Sequence, residues 1–73
     1  MYSKEKVVNA LIKIFKGNIE FIFIGDIWCK FKYSEAIFKV RYEFAFVEQC
    51  IDKYTLRSTE FTNLLEKKLK EEL

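Results

Sequence analysis

Apolar residues near the N-terminus recur with the period of an amphipathic helix. Ser3 is a typical N-cap ahead of this segment, and Gly17 followed by Asn18 is typical of a helix end. The pattern therefore predicts a helix over residues 3–16, with charged side chains between the apolar positions. The apolar positions of this helix are Val7, Val8, Leu11, Ile12 and Phe15.

Two runs of β-branched and aromatic residues come next, over residues 19–24 and 27–33, with Gly25 and Asp26 between them. A two-residue Gly-Asp loop between such runs is typical of a β-hairpin with a type II′ turn, in which glycine takes the first central position. A turn of this kind fixes the pairing of the two strands. The expected pairs are Ile24 with Ile27, Phe23 with Trp28, and Phe21 with Lys30.

The segment of residues 36–47 is compatible with either a strand or a helix. As a helix it carries one apolar stripe, but aromatic residues such as Phe38 and Tyr42 then fall on the opposite side. As a strand it alternates, with Lys39, Arg41 and Glu43 on one face and aromatic or aliphatic residues on the other. We favour the strand because it accounts for more positions, and the helix stays as the alternative.

The period becomes helical again towards the C-terminus. The spacing of Cys50, Ile51 and Tyr54 predicts one or two helical turns after Glu48. Ser58 or Thr59 then caps a last helix, whose apolar stripe is Phe61, Leu64, Leu65, Leu69 and Leu73.

These elements predict an α+β fold in two layers, as a single compact domain over residues 1–73. The expected order is an N-terminal helix, a three-stranded antiparallel meander and one or two C-terminal helices, that is α-β-β-β-α or α-β-β-β-α-α. If residues 36–47 are helical, the order is α-β-β-α-α instead.

Composition narrows the possible chemistry. The chain has 13 basic and 11 acidic side chains, for a net charge of +2, which is too low for a strongly basic nucleic-acid clamp. It contains no histidine, the commonest general base and a common zinc ligand. Gly17 ends a helix and Gly25 turns a hairpin, so neither glycine belongs to a phosphate-binding loop. We therefore expect no enzymatic activity, no catalytic residues, no cofactor and no metal.

The cysteines and the apolar segments bear on location. Cys29 and Cys50 are far apart and lie among apolar residues, which favours free buried thiols in a reducing compartment over a disulfide. The first residues lack the apolar core of a signal peptide. Residues 19–31 are too short and too often charged to cross a bilayer. We expect a cytoplasmic protein without membrane contact.

The most informative feature is that both faces of the expected sheet are apolar near the hairpin. With a second tight turn at Ser34 and Glu35, two amphipathic helices can cover one face but hardly both. The face expected under the helices carries Ile22, Ile24, Ile27, Cys29, Phe31, Tyr33, Phe38, Val40, Tyr42 and Phe44. The other carries Ile19, Phe21, Phe23 and Trp28 beside Lys30, Lys32, Lys39 and Arg41, with Ala45 and Val47 further along.

On this second face Lys30 is expected opposite Lys39, and Trp28 opposite Arg41 in cation–π geometry. An aromatic centre edged by cations is typical of a binding surface. The alternative is that the lysine stems pack on the rim of a core while their ammonium groups stay in water. The predicted binding residues, for protein or nucleic acid, are Phe21, Phe23, Trp28, Lys30, Lys32, Lys39 and Arg41.

The predicted function is that of a small non-enzymatic interaction module that docks this aromatic–basic face on a protein partner or on a second copy of itself. One alternative is a single-stranded nucleic-acid-binding protein that uses the same face, with Trp28 and Phe21 stacking on bases. The other is a homodimer with no further ligand on that face.

The α-β-β-β-α order is similar to that of double-stranded-RNA-binding domains. The lysine-rich start of their second helix is missing here, because residues 58–63 contain no cation. The longer α-β-β-β-α-α order is similar in size and topology to some small phage-encoded anti-CRISPR and anti-defence proteins. That resemblance implies an inhibitor or accessory protein of phage or mobile-element type, and it rests on no shared motif.

Overall fold

The computed structural model describes residues 2–51 and 53–73. In this part of the chain five strands form one antiparallel sheet in chain order, with a helix before it and a helix after it. The α+β class is confirmed, but the sheet has five strands where three were predicted. The elements are α1 (Lys4–Phe15), β1 (Glu20–Ile24), β2 (Trp28–Tyr33), β3 (Ala36–Arg41), β4 (Phe46–Ile51), β5 (Tyr54–Leu56) and α2 (Glu60–Glu72).

Helix α1 forms as predicted. The Ser3 hydroxyl accepts a hydrogen bond from the Lys6 backbone N–H at 3.3 Å, which caps the N-terminus. The helix ends when Lys16 and Gly17 adopt left-handed backbone angles (φ 53° and 80°), and Gly17 N–H then donates to the Ile12 carbonyl at 2.9 Å. Its buried face carries Val7, Ala10 and Leu11.

The β1–β2 hairpin forms, but both its predicted register and its predicted turn are wrong. Gly25 does not adopt the positive φ that a type II′ turn requires. Residues 25–27 instead form a longer loop, closed by a 2.9 Å hydrogen bond from Gly25 N–H to the Trp28 carbonyl. Tyr42 holds this loop, because its hydroxyl donates to the Gly25 carbonyl at 2.8 Å and its N–H to the Ile27 carbonyl at 3.1 Å. The observed pairs are Glu20 with Lys32, Phe21 with Phe31, Phe23 with Lys30, and Ile24 with Cys29.

Gly25 is needed here for close packing. A β-carbon at this position would lie 2.5 Å from the Phe23 ring and 3.1 Å from the Trp28 carbonyl oxygen. The register shifts by one residue between Phe21 and Phe23, a β-bulge. The bulge separates two side chains that a regular strand would place on one face. Phe21 therefore packs against the core, where its ring lies edge-on to Phe31 at 6.3 Å, while Phe23 stays on the other face beside Trp28.

Residues 36–47 are neither the single strand nor the helix considered from the sequence. Strand β3 ends at Arg41, and residues 42–45 form a turn in which Tyr42 and Ala45 are buried. Ala45 adopts a left-handed φ of 54° and donates its N–H to the Tyr42 carbonyl at 3.2 Å. The turn breaks the alternation: Phe44 is exposed, and Val47 is buried on the helix side beside its pair Val40.

The predicted helix after Glu48 is also wrong. This segment belongs to β4, which pairs with β3 on one side and with β5 on the other. The two neighbouring strands take up the backbone hydrogen bonds that a helix would form within itself. The spacing of Cys50, Ile51 and Tyr54 suggested a helical stripe, but Ile51 and Tyr54 are in fact a cross-strand pair.

Other predictions of the sequence analysis are confirmed. Ser34 and Glu35 form a tight turn with positive φ at both positions (50° and 68°), the signature of a type I′ hairpin. Lys30 pairs with Lys39 across β2 and β3, and Trp28 pairs with Arg41.

Thr59 caps α2 as expected. Its hydroxyl accepts a hydrogen bond from Thr62 N–H at 3.1 Å, and Thr59 N–H donates to the Thr62 hydroxyl at 2.9 Å. These reciprocal bonds form a capping box.

One core forms between the sheet and the two helices, which lie on the same face and are tied by a 3.0 Å ion pair from Lys13 to Glu72. Several residues expected under the helices are exposed instead, namely Ile22, Ile24, Ile27 and Phe44. They belong to the two loops and to the edge strand β1, which the helices do not reach. The core consists of Val7, Ala10, Leu11, Cys29, Phe31, Phe38, Val40, Tyr42, Ala45, Val47, Leu65 and Leu69.

Candidate binding face

The opposite side of the sheet carries the candidate site. Both described helices pack on the core side, so the side chains that alternate with core residues along β2, β3 and β4 have no helix over them. We call this surface the open face. It consists of Glu20, Phe23, Trp28, Lys30, Lys32, Ile37, Lys39, Arg41, Phe46, Glu48 and Cys50.

Trp28 is the centre of one half of the open face. Its ring lies 4.6 Å from the Phe23 ring, with a tilt of 42° between the planes. The Lys39 ammonium lies 4.4 Å from the centre of the Trp28 ring, and the Lys30 ammonium lies 5.8 Å from it. Both distances fall within the range of cation–π attraction. Among the described residues the cations over the indole are thus Lys39 on β3 and Lys30 on β2, in place of the Arg41 that the sequence suggested.

A second centre forms at Phe46. The Arg57 guanidinium carbon lies 4.2 Å from the centre of the Phe46 ring, and Phe44 packs on the same ring at 5.4 Å. Arg57 is held from behind by Glu66 of α2, at 3.8 Å. The Glu66 carboxylate also accepts a hydrogen bond from Val47 N–H at 2.9 Å. Glu66 therefore connects helix α2 both to strand β4 and to Arg57, the residue over the Phe46 ring.

Arg41 joins the two centres. It pairs with Trp28 on β2 and with Phe46 on β4, so the three residues form one row across β2, β3 and β4, at the end of these strands next to the turn at residues 42–45. Neighbouring strands lie about 4.8 Å apart, which puts the backbones under the two rings about 10 Å from each other. Arg41 is exposed, and its guanidinium offers up to five N–H donors between two aromatic rings.

The open face has an excess of positive charge. Lys30 lies opposite Lys39, whereas Lys39 lies opposite Glu48 on the next strand and Lys32 lies opposite Glu20 on β1, so the face carries four cations and two carboxylates. Within residues 2–51 and 53–73, the three ion pairs shorter than 4.0 Å leave out Lys30, Lys32, Lys39 and Arg41. These four cations are therefore available to an anionic partner.

Six of the seven predicted binding residues come together on this face: Phe23, Trp28, Lys30, Lys32, Lys39 and Arg41. Phe21 does not, because the bulge turns it into the core. Ala45 and Val47, also expected on this face, are fully buried on the helix side.

The sequence analysis missed Phe46 and Arg57. An unbroken alternation over residues 36–47 places Phe46 with Tyr42 and Phe44 on the helix-covered face, and the turn at residues 42–45 breaks that alternation. Four residues without glycine or proline give little sign of a turn there.

The cysteines lie on opposite sides of the sheet. Cys29 is buried among core residues, whereas Cys50 is half-buried on the open face, and both thiols are free. They stand on strands two positions apart, about 10 Å between backbones, which is too far for a disulfide.

Burial raises the pKa of the Cys29 thiol from its ordinary 9.0 to about 11, and it raises the pKa of the neighbouring Tyr42 from 10.0 to about 12. Both groups are therefore neutral in the folded protein at physiological pH. They belong to the core and supply no chemistry to the open face.

Within the described residues, no three or more histidine, cysteine, aspartate or glutamate side chains come together as a metal site would require. None of the described helices combines the length and the apolar character needed to cross a membrane. No family model matches this chain, and no significantly similar curated protein or solved structure was found. Its function must therefore be argued from the geometry of the open face.

Proposed function

We propose that this protein is a small non-enzymatic interaction module that binds an acidic protein surface through its open face. The observation that supports this most directly is the row of Trp28, Arg41 and Phe46, with a cation over each ring and Arg41 between them. Tryptophan, other aromatic residues and arginine dominate the binding energy of protein interfaces. A module of this kind acts by occupying its partner's surface, as an inhibitor or an accessory protein does.

Charge favours a different protein over a second copy at this face. Two open faces packed together would bring Lys30, Lys32, Lys39 and Arg41 of one chain near the same cations of the other. Like charges brought together in a partly desolvated interface cost binding energy. An acidic partner instead gains from the same four cations and from Arg57 beside them.

The Trp28 surroundings also favour a protein over single-stranded nucleic acid. A base that stacks on a sheet needs a free aromatic face. Here the Trp28 indole is half-buried, the Phe23 ring packs against it, and the Lys39 ammonium lies over its ring. The net charge of +2 supplies little of the phosphate attraction on which such proteins depend.

The two free thiols bear on where the protein is located. Because free thiols are typical of a reducing compartment, we propose that this protein is cytoplasmic.

The test compares two charge reversals in affinity capture from cells of the source organism. Arg41→Glu changes the row of Trp28, Arg41 and Phe46 on the open face, and Lys6→Glu makes the same change on the exposed side of α1. We expect a protein that the wild-type chain and Lys6→Glu retain and that Arg41→Glu loses. The proposal fails if Arg41→Glu retains the same proteins in the same amounts.

Trp28 gives a second measurement, because it is the only tryptophan in the chain. Its emission can be followed while a single-stranded oligonucleotide is added at low and at high salt. We expect no saturable change. Saturable quenching that weakens steeply with salt would instead identify single-stranded nucleic acid as the ligand of this face.

A further inference from the structure

Strand β1 is an edge strand with an unusual surface. In the described sheet it pairs with β2 on one side only, so the backbone N–H and C=O groups along its other side have no strand partner. Four of the nine large hydrophobic side chains described as exposed lie at this edge, within six residues. They are Ile22 (49% exposed), Phe23 (47%), Ile24 (43%) and Ile27 (62%).

The opposite edge of the sheet differs. Strand β5 is only three residues long, and Lys53 and Arg57 flank it. Short length and flanking cations are the usual means by which proteins prevent pairing at a sheet edge. Strand β1 has five residues, and its one charge is Glu20 at its start. The two edges are therefore unequal, and β1 is the one open to another strand.

The bulge in β1 gives the strand apolar side chains towards both faces of the sheet. Phe23 lies on the open face beside Trp28, while Ile24 lines a cleft with Val8 of α1 on the helix side. A strand added next to β1 would cover apolar groups above and below it, in addition to forming backbone hydrogen bonds.

We infer that β1 is a self-association edge, and that its occupant is β1 of a second copy in antiparallel pairing. The strand is chemically matched to itself: it is apolar, it carries no cation, and it needs another strand to satisfy its backbone. This is the reverse of the open face, where four cations oppose a second copy. Each chain has one such edge, so pairing about a two-fold axis closes as a dimer and does not continue into a fibre.

The dimer would leave the Trp28, Arg41 and Phe46 row of each open face free. A two-fold axis perpendicular to the sheet places both open faces on the same side of one continuous sheet, and of their side chains only Glu20 and Phe23, on β1, border the new contact. The inference therefore stands apart from the function proposed for the open face, and each can fail without the other.

Molar mass in solution tests this inference directly. Light scattering over a series of concentrations should show the mass rise from one chain of 8.8 kDa to two. Ile22→Lys places a charge on the β1 edge and should weaken dimerisation by at least about tenfold, or 1.4 kcal/mol. The matched control Leu56→Lys, on β5, should leave the dimer unchanged, and so should Arg41→Glu on the open face.

Hydrogen exchange on the wild-type chain covers the case in which Ile22→Lys fails to fold. Protection of the β1 amides should increase with protein concentration, while the β5 amides stay unchanged. Two results would overturn the inference. One is a wild-type chain that keeps the mass of a single chain at millimolar concentration, and the other is a dimer that Arg41→Glu abolishes and Ile22→Lys does not.

Discussion

The two faces of the sheet are built from the same three central strands, yet they differ in almost every physical respect. On the covered face Phe31, Val40 and Val47 have no solvent exposure and pack against Leu11 and Leu69 of the helices. On the open face aromatic rings alternate with lysine and arginine, and most side chains are half-buried by their neighbours alone. Because strand residues point alternately to the two sides, each of these strands serves the core and the surface at once.

The comparison separates stability from binding. Burying one large aliphatic or aromatic side chain contributes about 1.5–3 kcal/mol, so the covered face holds the fold together. The open face contains an arrangement that costs stability, since Lys30 and Lys39 lie directly opposite each other. Proteins tend to keep such costly arrangements where function requires them. This is the physical reason to look for the partner on the open face.

The largest expected effect comes from removing one phenylalanine from each face. Phe31→Ala should lower the free energy of unfolding by about 3–5 kcal/mol, because it leaves a cavity among fully buried neighbours. Phe23→Ala, at a site 47% exposed, should cost about 1 kcal/mol, mainly through its lost contact with Trp28. Urea denaturation measures both. Equal losses would show that the two faces do not differ in the way described.

The two helices and the β2–β3 hairpin are the parts of the molecule that the sequence predicts best. Both helices, their caps at Ser3 and Thr59, and the β2–β3 pairing all follow from local patterns. In these segments the helical or alternating period is unbroken and the turn residues are typical. Where the local pattern and the tertiary packing favour the same structure, a single sequence is enough to predict that structure.

The errors lie where tertiary contacts decide the backbone. Gly25 looked like a residue chosen for a positive φ, but the Tyr42 hydroxyl and the Phe23 ring determine its loop. The turn at residues 42–45 has no glycine or proline, and burial of Ala45 stabilises it. The bulge in β1 and the turn at residues 42–45 each shift an alternation by one residue, and such a shift moves the side chains beyond it to the other face. That is why Phe21 and Val47 were assigned to the wrong side and Phe46 was missed.

The stability of the protein should depend on pH through two groups in the core of the covered face, Cys29 and Tyr42. The Cys29 thiol has a pKa of about 11 in the fold against 9.0 ordinarily, and Tyr42 about 12 against 10.0. Both values are raised, so the unfolded chain releases these protons first, and stability is full below pH 9 and falls as pH rises above it. We expect the two groups together to lose about 3 kcal/mol of stability between pH 9 and 11, about two thirds of it from Cys29.

Denaturant unfolding at each pH measures this loss, and Cys29→Ala is the comparison variant. It removes one of the two titrating groups, so its stability should fall less steeply over the same pH interval. If wild type and Cys29→Ala fall in parallel, the Cys29 thiol does not titrate as a core group.

Glu66 of helix α2 contacts residues that belong to both faces of the sheet. Its carboxylate accepts a hydrogen bond from Val47 N–H and holds Arg57 over Phe46. Glu66→Ala should lower the free energy of unfolding by about 1–2 kcal/mol, because the N–H group of Val47 loses its partner. Glu66→Gln keeps an acceptor and should lose less. Thermal and urea denaturation of the two variants give the difference, and equal losses would mean that the hydrogen bond contributes nothing.

The smallest expected effect is a gain in stability, from a change at Lys30 on the open face. It tests the contrast between the two faces most directly, because every other variant described here is expected to lose stability. Lys30→Glu replaces a like-charge pair with Lys39 by an opposite-charge pair, which should raise the free energy of unfolding by a few tenths of a kcal/mol. Lys32→Glu is the contrasting change, since Lys32 lies opposite Ile37 on β3 and opposite Glu20 on β1, so a carboxylate there faces a like charge and should lower the free energy of unfolding by a similar amount. Both changes should weaken binding of the acidic partner proposed for the open face. A Lys30→Glu variant that is more stable and still binds its partner fully would show that the Lys30–Lys39 pair is not kept for binding.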